Sequence, residues 1–93
     1  MLIRTQDKRK VINLDNVISI YSEILNPNKV IQEKYTTTIL FHTEKLCGDL
    51  GTYSSEEKAL EVLDMIGQAY ISANYNYVHN TVFNMPADDE VNV

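Results

Sequence analysis

Cys47 stands five residues beyond His42 and two before Asp49. A thiol, an imidazole and a carboxylate are the ingredients of nucleophilic catalysis or, with further ligands, of a metal site. His79 adds a second imidazole. The spacing argues against both uses. A transition-metal site needs three or four good ligands, and no pattern such as H-E-x-x-H supplies them. His42 and Cys47 flank the turn Thr43-Glu44-Lys45, and an extended 46–50 puts Cys47 and Asp49 on the face opposite Leu46 and Leu50. A small enzyme or metal-binding protein built on His42, Cys47 and His79 is therefore one reading. An ordinary small side chain in a strand is the simpler account of Cys47. There is no G-x-G-x-x-G, no G-K-[ST] and no serine nucleophile elbow, and glycines occur only at 48, 51 and 67. No cofactor is implied.

Two other groups of residues bear on binding. Lys8-Arg9-Lys10, with Arg4 on the preceding strand, is the one concentration of positive charge, and Lys29 and Lys34 would have to share its face for a nucleic-acid reading. The whole chain is acidic, however, at a formal −5. Residues 1–45 carry seven basic and five acidic groups, whereas residues 46–93 carry one and eight. That layout disfavours nucleic acid and gives the molecule a dipole able to steer a partner or a second copy. The six tyrosines are the other group, with no tryptophan beside them. Tyrosine is enriched at interfaces because an apolar body carries a polar tip. Tyr75, Tyr77 and Phe83, around the end of the helix described next, form the candidate interaction surface. Tyr70 falls on the helix stripe and is expected in the core.

The elements that must position these residues change character at residue 54. Before it, Met1–Thr5, Lys10–Leu14, Val17–Leu25, the run from Lys29 to His42 and the short stretch around Leu46–Leu50 read as strands, with turns at Gln6–Lys10, Asp15-Asn16, Asn26-Pro27-Asn28 and Thr43–Lys45. Tyr35, Thr37, Ile39 and Phe41 share the better core face, and Gly48 suggests a bulge or a closely packed backbone. After it, Ser54-Ser55-Glu56-Glu57 fits a capping box with Ser54 at the N-cap. Ala59, Val62, Leu63, Ile66, Tyr70 and Ala73 then recur at three- and four-residue spacing, which predicts an amphipathic helix of about 20 residues. Asn74-Tyr75-Asn76 ends it, and an extended stretch from Tyr77 to Met85 runs to Pro86.

The expected fold is α+β: an antiparallel meander of about five strands packed against one long helix in the C-terminal half, with a late extended segment after it. Residues 1–86 make a single domain, and 87–93, ADDEVNV, read as a flexible acidic tail. No segment is long and apolar enough to span a membrane, no apolar signal-peptide core follows the charged start, and a lone cysteine suits a reducing cytoplasm.

Three segments carry a resemblance. Ile3-Arg4-Thr5-Gln6-Asp7, then Gly51-Thr52-Tyr53-Ser54-Ser55-Glu56-Glu57-Lys58-Ala59, and Phe83-Asn84-Met85-Pro86 resemble small uncharacterised proteins of Gram-positive bacteria and their phages or prophages. The likeness covers most of the chain outside Ser22–Glu44 and implies a strand-rich start, one helix and a late extended segment. It brings no catalytic residue, so none is carried over. The expected function is a non-enzymatic cytoplasmic accessory or protein-interaction protein, with a protein partner or self-association as a homodimer. The alternatives are a nucleic-acid-associated protein using Arg4, Lys8, Arg9 and Lys10, and the enzyme or metal reading above.

Overall fold

Strand β1 (Leu2–Arg4) turns through residues 5–10 and returns antiparallel as β2 (Val11–Asn13). The Asp7 carboxylate shapes that turn by accepting from the Thr5 hydroxyl and the Arg9 N–H, while Lys8 takes a φ of 65°. The computed structural model describes residues 1–25, 36–75 and 81–93. The Asn26-Pro27-Asn28 loop, Tyr35, Tyr77, His79, Lys29 and Lys34 lie outside the described residues.

The α+β architecture, the long helix and the extended segment after it are as expected, but the strands do not form one five-stranded sheet. They form two sheets of three, ordered β2-β1-β6 and β3-β4-β5. The separation has two local causes. Leu14–Asn16 forms a 3-10 turn, with the Asn13 side chain accepting from the Asp15 N–H, and this carries the chain away from β2 before β3 (Ser19–Leu25) begins. The late strand β6 (Val82–Asn84) then pairs parallel with β1, so that β1 already has a neighbour on each side.

The second sheet is an antiparallel meander of β3, β4 (Thr36–His42) and β5 (Cys47–Tyr53). Its inner face is the expected parity of β4: Thr37, Ile39 and Phe41 are all buried. A bulge opposite Ile39/Leu40 adds Leu50 to β5, which is why both Leu50 and Tyr53 reach the core from one strand. Gly48 is not that bulge. It meets the Phe41 ring instead, where a Cβ would lie 3.0 Å from Cε1.

Helix α1 (Glu56–Tyr75) lays Ala59, Val62 and Ile66 on this face, and Ile3, Met85 and Val91 complete the same core from the other sheet and the C-terminal segment. The N-cap is Ser55 rather than Ser54: its Oγ accepts from the Lys58 N–H, which puts Lys58 at N3 and removes the reciprocal carboxylate of a capping box. Ser54 N–H donates to Asp88 Oδ1 instead. Tyr70, expected in the core, is 42% exposed. Among the described residues no helix is long and apolar enough to cross a membrane.

Residues 87–93, expected as a solvated tail, are tied to the body. Lys58 Nζ donates to the Asp88 carbonyl and pairs with its carboxylate at 3.3 Å, and Val91 is buried. The apolar anchor is one residue, too short a signal to register as a pattern.

Candidate interaction surface

The sequence-derived candidates among the described residues have definite places. His42 and Cys47 are direct cross-strand partners on β4 and β5, and Asp49 lies opposite Leu40 on the same outer face. All three are exposed. Cross-strand pairing thus brings the thiol and imidazole side by side on a sheet surface, while His79 lies outside the described residues. Among the described residues no group of three or more His, Cys, Asp or Glu is arranged to hold a metal ion. Arg4 and Lys8 border a hollow that also contains Glu90, and Lys10 borders another with Asp7 and Asp49. The basic cluster is therefore divided between two places, each shared with acid. Of the three aromatic candidates, Tyr75 ends α1, Tyr77 is outside the described residues, and Phe83 is half-buried, with its ring packed against the core.

Two polar clusters consolidate the fold at the β5 side. The Gln6 side-chain amide acts as a peptide group towards β5, accepting from the Thr52 N–H at 2.9 Å and donating to the Thr52 carbonyl at 3.1 Å, while the Gln6 backbone N–H donates to Leu50. The Pro86 carbonyl accepts from both Gln6 Nε2 and the Tyr53 hydroxyl. Burial raises the Tyr53 phenol well above its ordinary range, with the Asp88 and Glu90 carboxylates adding to the effect. The hydrogen bond from the Ser54 backbone N–H holds the Asp88 carboxyl below its ordinary value, with Lys58 contributing less. These groups are committed to holding the two sheets and the C-terminal segment together.

The opposite side of the molecule is different. Because Thr43 N–H donates to the Leu46 carbonyl, alternate residues of β4 (Thr37, Ile39, Phe41) turn their amides to β5 and the others turn theirs to β3. Across the register those others meet Ser19, Tyr21 and Glu23. The amides of Ile20, Ser22 and Ile24 therefore point away from β4, along an edge beside which no described strand lies. Edge strands are ordinarily blunted by Lys, Pro or shortness. Seven-residue β3 has neither Lys nor Pro, and its one charge is Glu23.

Above that edge runs the flank of α1. Leu60, Gly67 and Ile71 are seven and four residues apart and share one helical face. Following Tyr53, α1 starts at the level of Ile24 and runs antiparallel to β3, so that Tyr70 comes to border a hollow with Val17, Ile18 and Ile20. In a right-handed helix running this way, the Leu60–Gly67–Ile71 flank turns towards the free edge of β3. Ile18 (62%), Ile24 (54%), Leu60 (46%) and Ile71 (60%) are all strongly exposed. Together with Tyr70 they expose roughly 500 Å², the size of the largest patch on a typical monomer, which is often a functional one. The sequence held one sign of this surface: apolar residues of α1 cover a wider arc than one three-stranded sheet can bury.

No protein-family model matches the chain, and neither the curated proteins nor the solved structures hold a significant match to it.

Proposed function

We propose that this chain is a non-enzymatic accessory protein that acts by binding protein, through the apolar surface made by the free edge of β3 and the facing flank of α1. The observation that carries this reading is the coincidence of a β3 backbone edge with no described strand beside it and Ile18, Ile24, Leu60 and Ile71 exposed along it. The polar and titratable groups support it from the other direction: those of the β5 side are engaged in hydrogen bonds within the fold, and His42 and Cys47 stand on an exposed sheet face.

Co-purification with a tagged chain tests the reading. The wild type retains a protein, a second copy of itself included, and the Ile24→Lys/Ile71→Glu variant loses it while keeping its circular dichroism. Identical retained material for the two chains, or retention of nucleic acid alone, contradicts the reading.

A further inference from the structure

We infer that the occupant of this surface is a second copy of the same chain, paired antiparallel through β3 to give a continuous six-stranded sheet with both helices on one face. The inference rests on the reading of the surface as a protein-binding one and names the partner.

The first argument is the edge itself. Among the described residues β3 is the long edge without any backbone partner: β2 and β6 are three residues each, and Gln6 bonds the outer edge of β5 at Leu50 and Thr52. A free strand edge is completed by another strand. The chain carries such a strand in β3.

The second argument is self-complementarity. The amides of Ile20, Ser22 and Ile24 are those that face outward, so a two-fold axis at Ser22 uses all three. Ser22 then meets Ser22 of the second copy, and Ile20 meets its Ile24, each as a hydrogen-bonded pair. Glu23 falls opposite Tyr21 rather than opposite a second Glu23, so the register contains no like-charge contact. Because Ser22 pairs with itself, the axis is perpendicular to the sheet and both helices stay on the same side. Their Leu60–Gly67–Ile71 flanks then face each other across the joined strands.

The third argument is area. Covering the exposed apolar groups on both copies, together with the edge backbone, removes roughly 1,000 Å² in total, at the threshold for a specific interface. An interface of this size sits at the low end of those that hold specific complexes, where association is reversible and depends on concentration. Gly67 has nothing within 4 Å of the position its Cβ would take, which leaves the flank open to the approaching copy.

Sedimentation equilibrium and a cysteine placed on the axis test the proposal together. The wild type is expected to approach twice its 10.7 kDa chain mass as concentration rises. Ile18→Lys/Ile24→Lys is expected to weaken association at least ~10-fold, while Val11→Lys/Leu46→Lys, altering exposed apolar residues elsewhere, leaves it unchanged. In a Cys47→Ser background, Ser22→Cys is expected to form an intermolecular disulfide with diamide, which takes up the two thiol hydrogens. The facing Cα atoms of such a pair, about 5.5 Å apart, lie within disulfide range. A species that stays at the chain mass throughout overturns the proposal, as does a dimer unaffected by Ile18→Lys/Ile24→Lys or one that fails to cross-link at Ser22. A wild-type monomer whose co-purified protein is still lost in Ile24→Lys/Ile71→Glu would end self-pairing and leave the protein-binding reading standing.

Discussion

Gly48 and Gly67 show how one residue type takes opposite roles. At Gly48 an added Cβ would sit 3.0 and 3.1 Å from Cε1 and Cζ of Phe41, a buried ring with little freedom to retreat. Gly48→Ala is expected to destabilise by about 1–3 kcal/mol, as overpacking does. At Gly67 the space is open, and alanine removes only the entropic cost of glycine in a helix. Gly67→Ala is expected to stabilise by about 1 kcal/mol. Urea titration of the two variants, at a concentration low enough to keep the chain monomeric, should show midpoints moving in opposite directions. The sequence suggested that something packs against Gly48 but not that it is Phe41, since the contact depends on the register of β4 against β5. His42 and Cys47 teach the same lesson: five residues apart in the chain, they become direct partners only because the turn between them closes a hairpin.

At the scale of elements, legibility followed the strength of the period. Ala59, Val62, Ile66 and Ala73 repeat over about four turns, so α1 could be read from spacing alone, while its cap was displaced by one residue because Ser54 and Ser55 both suit the position. The pairing of β1 with β6 left no such trace. Each strand has three residues, too few for a period, and the partners lie some 80 positions apart. The docking of the C-terminal segment was hidden for a similar reason, since it depends on Asp88 meeting Ser54 and Lys58 across the fold. That attachment makes a pH prediction. The Asp88 carboxyl is held below its ordinary value, so its contribution is complete above about pH 4 and is lost as the pH falls below that. Amide exchange in residues 87–93 should therefore accelerate on acidification before β4 and β5 are affected. Asp88→Asn should remove that early step, because the amide does not titrate there.

For the whole molecule, the charge asymmetry and the apolar surface divide the labour. Most of the acidic excess of residues 46–93 lies on exposed helix positions and on the docked segment. The apolar surface runs along the edge of β3, beside which no described strand lies, and up the facing flank of α1. Aromatic residues such as Tyr75, Tyr77 and Phe83 are conspicuous in a chain, whereas a strand edge without a neighbour is a property of topology that no run of residues displays. In the proposed dimer that edge is covered in solution. Hydrogen exchange at Ile20, Ser22 and Ile24, followed from ~1 μM to ~1 mM protein, reads this directly, since association protects what it covers by mass action. Exchange at these three amides should slow at least ~10-fold over that range, with Val11–Asn13 unchanged as the internal reference. Fast exchange at all three, independent of concentration, would contradict the account.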